Sequence, residues 1–189
     1  MDSKSIFPYV KHYDGEIVNG VLEVRAVADD GTDRTTRLPC RHLAADLGVF
    51  YIYMNGAQNV MIQSEMLPGD VTENDLYAAA SDNLYREAEF CLAETEWGGL
   101  AFVCGGDFES CVLSQPELLD FAAQEFDVDY FICAPTRDVV LMVAANDGAK
   151  LTAMKNAALS VVDGAHAVTR QVLRYSKEAK RLCETGIMI

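Results

Sequence analysis

Apolar positions recur along the chain in two periods, and their succession predicts the elements. Residues 47–54 form a run rich in aromatic and β-branched side chains, and residues 60–66 return as a second strand after the turn-forming Asn55-Gly56-Ala57-Gln58-Asn59. The period then lengthens. Leu76, Ala80, Leu84 and Ala88 stand at i,i+4 spacing behind Thr72 as N-cap, with Asp75 three residues on, which predicts a helix. The same order repeats twice. Residues 100–104 and 108–113 predict a hairpin around Gly105-Gly106-Asp107, and Ser114-Gln115-Pro116-Glu117 predicts a capping box opening a helix to about Phe126. Residues 130–134 and 139–144 predict strands joined by Pro135-Thr136-Arg137-Asp138, and Leu151, Met154, Ala158 and Val161 mark a third helical stripe.

Ahead of these units, turn signals at Asp14-Gly15, Asn19-Gly20 and Asp29-Asp30-Gly31 separate short segments with apolar positions at Val21 or Leu22, Val24 and Ala26, which predict hairpin strands until Pro39 breaks the chain. Residues 168–175 predict a last strand. Three successive strand-strand-helix units predict an α+β fold, an antiparallel sheet with helices gathered on one face. The expected organisation is one domain over residues 1–189: a hairpin-rich opening segment 1–46, the three units over 47–165, and a terminal strand with a basic tail over 166–189. At 189 residues, half apolar and 23% charged, the chain has material for a sizeable core.

Charge narrows the possible partners. The net charge is −14, and it is uneven: residues 1–149 hold 26 Asp/Glu against 8 Lys/Arg, whereas residues 150–189 hold 3 against 7. Such a body repels phosphates, so direct nucleic-acid binding is not expected, and an unidentified protein partner with a basic surface is. Solubility is the plainer explanation of the same acidity. Three fates are open to the basic segment with Arg170, Arg174, Lys177, Lys180 and Arg181: its own acidic body, the acidic groups of a second copy in a homodimer, or an anionic ligand. The first is the default.

The opening Met1-Asp2-Ser3-Lys4-Ser5-Ile6-Phe7-Pro8 has no apolar stretch behind a basic cap, and the longest apolar run, 139–145, is far short of the roughly 20 residues that span a bilayer. A cytoplasmic location without membrane association is expected. The six cysteines, Cys40, Cys91, Cys104, Cys111, Cys133 and Cys183, form no Cys-x-x-Cys pair and are expected to be free thiols acting as small buried hydrophobes.

Candidate chemistry is sparse. Gly105-Gly106-Asp107-Phe108-Glu109 is similar to the signature string of diguanylate cyclases with its last two letters transposed. Such an enzyme also needs metal-binding carboxylates on an earlier strand, a pattern not found upstream, so the string reads as a turn needing glycine at positive φ. Asp107 and Glu109 remain candidate binding residues. Arg137 and Asp138 place a cation and a carboxylate at a hairpin tip, where they would grip a charged group or serve only as solvated turn residues. Asn83 lies seven residues after Leu76 and so falls on the apolar stripe of the first helix, where a buried amide must find partners. It ties the helix to a neighbouring backbone, or it lines a pocket with Tyr77 and Glu87. His12, His42 and His166 are isolated, and neither a nucleophile elbow nor a glycine-rich phosphate loop is present. No metal, cofactor or catalytic residue is expected.

Leu38-Pro39 leading to Leu47-Gly48-Val49-Phe50-Tyr51, the stretch 72–84 with Ala80 and Asn83-Leu84, Ala134-Pro135-Thr136-Arg137-Asp138-Val139-Val140-Leu141, and Val172-Leu173-Arg174-Tyr175 together resemble the YtpQ-like proteins of Gram-positive bacteria and their shorter relatives. The resemblance is one of pattern and order over most of the chain. It implies a cytoplasmic bacterial protein of a family without an assigned activity, whose short members occur on mobile elements, and it supplies no catalytic residues. The expected function is a non-catalytic binding or accessory protein acting through its acidic surface. Two alternatives stand beside it: an acidic mimic of nucleic acid that inhibits a host-defence or DNA-processing protein, and an enzyme with an unfamiliar site near Asn83 or the Arg137-Asp138 turn.

Overall fold

A computed structural model describes residues 3–27, 31–56, 58–162 and 166–189. The expected turns at Asp29-Asp30 and Ala57 fall partly outside these residues. The fold is α+β, built of antiparallel strands and a few helices. The chain divides into two compact units: residues 1–42 with 48–87, and residues 43–47 with 88–189.

The first half of the chain contains β1 (Ile6–His12), β2 (Ile17–Val18), β3 (Val21–Val27), β4 (Asp33–Pro39), β5 (Arg41–Ala44), whose last two residues fall in the second unit, β6 (Leu47–Asn55), which belongs to the first unit from Gly48 on, β7 (Gln58–Met61) and helix α1 (Glu73–Glu87). Strands β2-β3-β4 form a three-stranded antiparallel sheet. A second sheet has the order β1-β6-β5, with β7 also on β6. β6 is the run of aromatic and β-branched residues seen in the sequence, and its first six residues are all buried. The returning arm stops at Met61 instead of Met66, because residues 64–66 turn as a short 3-10 helix. α1 packs on β1 through Leu76, Ala80, Asn83 and Leu84.

The second unit contains β8 (Cys91–Glu94), β9 (Leu100–Val103), α2 (Pro116–Ala122), β10 (Tyr130–Thr136), β11 (Val139–Ala144), α3 (Gly148–Leu159), β12 (Gln171–Ser176) and β13 (Arg181–Met188). These strands form one antiparallel sheet in the order β13-β12-β10-β11-β9-β8. Cys133, Leu141, Val143 and Val172 on one face meet Met154 and Ala158 of α3. Pleating sends Tyr130 and Tyr175 to the other face, where the Tyr130 hydroxyl donates to the Leu119 carbonyl at 3.0 Å and the Tyr175 hydroxyl to Asp120 Oδ1 at 2.6 Å. The helices, expected on one face, therefore take both faces of this sheet. Central strands buried on both sides leave no solvated face for the helices to avoid.

Four further expectations are corrected. The hairpin partner of β9 is β8, reached through Trp97-Gly98-Gly99 with Thr95 N–H donating to the Gly99 carbonyl at 2.9 Å, whereas residues 109–114 are a fully buried 3-10 helix. α2 starts from Gln115 without a side-chain cap, since the Ser114 hydroxyl donates to the Cys111 carbonyl; it runs to Ala122 and continues as a 3-10 turn to Glu125, next to the expected end at Phe126. Val161 lies beyond α3 and is exposed. The basic tail is strand β13, whose polar-to-apolar alternation is weak because it is a sheet edge with one partner.

The basic segment is spent largely on its own unit. Lys180 Nζ reaches Asp120 Oδ2 at 2.9 Å, Arg174 Nε lies 3.6 Å from Asp129, and Lys177 Nζ donates to the Phe126 carbonyl.

Candidate functional site

In the first unit, α1 begins with a reciprocal cap. Thr72 donates from its backbone N–H and its hydroxyl to Asp75 Oδ2 at 2.8 and 2.5 Å, and Asp75 N–H returns to Thr72 Oγ1 at 3.3 Å. The hydroxyl bond first, and the backbone bond second, hold the Asp75 carboxyl below the usual carboxylate range.

One turn before the end of α1, Asn83 is 3% exposed and donates from Nδ2 to the carbonyls of Ser3 at 2.6 Å and Ile6 at 2.7 Å, while its Oδ1 accepts from Arg86 at 2.7 Å. Of the two roles open to it, the structural tie is the one it plays. Tyr77 lies instead under the Arg41 guanidinium, 3.8 Å from its ring centre, and Glu87 pairs with Arg86. The tie nevertheless shapes a surface feature. Ser3 and Ile6, held by Asn83, form one wall of a pocket of about 440 Å³; residues 66–68 and Val71 form another, and Asp75, Leu76 and Ala79 of α1 form the floor. The size falls within the range of ligand pockets.

A second polar cluster caps the same helix. Arg41 grips Glu73 through Nε at 3.1 Å and Nη2 at 2.9 Å, Nη2 also meets Asn74 Oδ1 at 2.6 Å, and the buried Tyr51 hydroxyl donates to Glu73 Oε1. Burial first, and the bond to Glu73 second, raise the Tyr51 phenol; burial and the Glu73 charge push the Cys40 thiol up to about 12. These groups satisfy one another, the arrangement of a structural network. The sequence offered no signal for it, because 32 residues separate Arg41 from Glu73.

In the second unit the two remaining candidate strings meet. Gly105 and Gly106 have φ of 82° and 96°, the glycine conformation the sequence suggested, but they lead from β9 into the 3-10 helix instead of a hairpin. Glu109, 2% exposed, turns back so that Oε1 accepts from the backbone N–H groups of Cys104 at 2.8 Å and Gly106 at 2.7 Å. Ser110 N–H donates to the Arg137 carbonyl at 2.8 Å, and Arg137 Nη2 lies 3.5 Å from Asp107 Oδ1. Asp107, Glu109 and Arg137 thus share one locus, with Asp138 exposed at the adjoining turn. Glu109 Oε2, Thr136 Oγ1 and Arg137 Nε are buried there without a hydrogen-bond partner.

Among the described residues no three His, Cys, Asp or Glu side chains converge as metal ligands, and no helix is long and apolar enough to cross a membrane. No protein-family profile, curated protein or solved structure matches the chain.

Proposed function

We propose that this chain is a non-catalytic binding protein that holds a basic protein partner against an acidic surface. One observation carries the proposal: from residue 42 to residue 136 the sequence has 17 Asp/Glu and a single Lys/Arg, Arg86. That one cation is committed internally, with Nε on Glu87 at 3.0 Å and Nη2 on Asn83 Oδ1 at 2.7 Å. Within this stretch Glu65, Asp70, Asp75 and Asp82 of the first unit are exposed, as are Glu89, Glu94, Glu96, Glu117, Glu125 and Asp127 of the second. On either unit, a surface of one sign attracts an oppositely charged partner and speeds its encounter.

The carboxyls of Asp75 and Asp120 are both lowered by hydrogen bonds, which is how structural carboxylates behave. The YtpQ-like resemblance adds no residue role to this reading. Its test is a pull-down from lysate of the producing organism at low and moderate salt, followed by affinity measurement on the purified partner. The proposal expects a basic protein whose affinity falls as salt rises. A partner bound equally well in high salt, or no protein partner at any salt, overturns it.

A further inference from the structure

The pocket between β1, residues 66–71 and α1 differs in chemistry from its surroundings. Its lining is mainly apolar, with Ile6, Met66, Leu67, Val71, Leu76 and Ala79, and among the described residues it contains no Lys, Arg or His. Met66 is 42% exposed, with its sulfur accepting from the Gln63 N–H at 3.4 Å, so an adaptable apolar side chain borders the pocket at the surface. Four exposed carboxylates belong to the same stretch of chain. Glu65 precedes Met66, Asp70 precedes Val71, Asp75 is part of the lining, and Asp82 follows Asp75 by two helical turns on the same side of α1. On the positive side, Lys4 lies between the lining residues Ser3 and Ile6, and Arg86 is held by Asn83 and Glu87.

Resting on the acidic-surface reading above, we propose that this pocket seats one large apolar side chain from a basic segment of the partner protein, while Glu65, Asp70, Asp75 and Asp82 meet the lysines or arginines that flank it. Charge complementarity selects this occupant: an acidic segment would be repelled, and a neutral apolar segment would leave the carboxylates unused. The apolar lining supplies what charge alone lacks, a reason to prefer one basic segment over another. Interfaces draw much of their affinity from such a central anchor in a pocket, with polar groups at the rim.

The test uses the full chain and fluorescein-labelled peptides of the form Gly-Lys-Lys-X-Lys-Lys-Gly, with X as tryptophan, leucine or alanine, read by fluorescence polarisation at low and moderate salt. The tryptophan and leucine peptides should bind at least about tenfold more tightly than the alanine peptide, the effect of burying one large side chain. Ala79→Leu, which fills the pocket from a half-exposed helix position, should bring that preference close to one while leaving the salt-dependent binding. Glu65→Lys with Asp82→Lys should weaken all three peptides several-fold and keep the preference. Circular dichroism of each variant confirms the fold.

Equal binding of all three peptides, unaffected by Ala79→Leu, overturns the anchor pocket and leaves the acidic-surface reading standing. Failure of every lysine peptide to bind at low salt overturns both. Self-association of the chain that is lost in Ala79→Leu would assign the pocket to a second copy and overturn the proposal in that way.

Discussion

Asn83 Nδ2 lies 2.7 Å from the Ile6 carbonyl oxygen, although 77 residues separate the two in sequence. The same amide hydrogen-bonds the Ser3 carbonyl, so one side chain fixes the start of β1 against α1. Asn83→Ala leaves two backbone carbonyls without their donor and should cost about 2–4 kcal/mol in urea unfolding. Asn83→Asp should cost at least as much, because a carboxylate cannot donate to either carbonyl. A loss below about 0.5 kcal/mol for both would show that the tie does not support the wall of the pocket.

Gly99 sets a tight limit in the second unit. A methyl group there would lie 1.9 Å from the Trp97 ring and 2.8 Å from the Met142 carbonyl. Gly99→Ala should therefore destabilise by about 1–3 kcal/mol or more. Trp97 is the only tryptophan, so its emission maximum should shift in the folded variant and report displacement of the ring directly.

Glu109 and Asp107 stand side by side in the candidate locus but should differ in weight. Glu109→Ala frees two backbone amides and should cost about 2–3 kcal/mol, whereas Glu109→Gln keeps an acceptor oxygen and should cost less. Asp107→Asn removes only an exposed pair at 3.5 Å and should stay within about 0.5 kcal/mol. Chemical denaturation of the three variants ranks them, and an Asp107→Asn cost equal to that of Glu109→Ala would refute the assignment.

Asp120 accepts from Tyr175 at 2.6 Å and from Lys180 at 2.9 Å, and these bonds, the tyrosine's first, hold its carboxyl below the usual range. Tyr175→Phe should move the Asp120 titration upward, as followed by carboxyl-carbon nuclear magnetic resonance, and Lys180→Ala should move it in the same direction by less. A downward or absent shift in Tyr175→Phe contradicts the geometry.

Alkaline pH should destabilise the protein. Burial raises the thiols of Cys40 and Cys133 to about 12, above the ordinary value of 9.0, and raises the phenols of Tyr51, Tyr130 and Tyr175 above their ordinary 10.0. In the unfolded chain these groups lose protons first, so the folded state binds more protons and its stability falls as pH rises beyond about 9. The denaturation midpoint should be level near neutral pH and decline between pH 9 and 11. A midpoint constant to pH 11 would contradict the burial of these side chains.

Local signals were reliable in the first helix, whereas the capping box expected at Ser114–Glu117 does not form. Thr72 and Asp75 are three residues apart, and their cap forms; Asn83 stood out because its helical position put an amide among leucines and alanines, and it is buried. Residues 108–113 misled because an apolar run bounded by glycines fits a strand as well as a 3-10 turn buried on all sides, and only the tertiary surroundings decide. β13 was missed for the converse reason, since an edge strand with mixed exposure carries no clean alternation. The meeting of Asp107 with Arg137 and the Arg41–Glu73 grip depend on strand order, which no local pattern encodes.

Strand order has one further consequence, in the timing of assembly. β10 pairs on one side with β11, its immediate neighbour in the chain, and on the other with β12, which follows only after α3. During synthesis at about 5–20 residues per second, the free edge of β10 waits a few seconds for that second partner. Its residues Tyr130, Phe131, Ile132 and Cys133 are the ones that β12 later covers, and an apolar strand left open in this way is a template for association between nascent chains. A chaperone that shields this edge should raise the soluble yield more than any change at the protein's acidic surface.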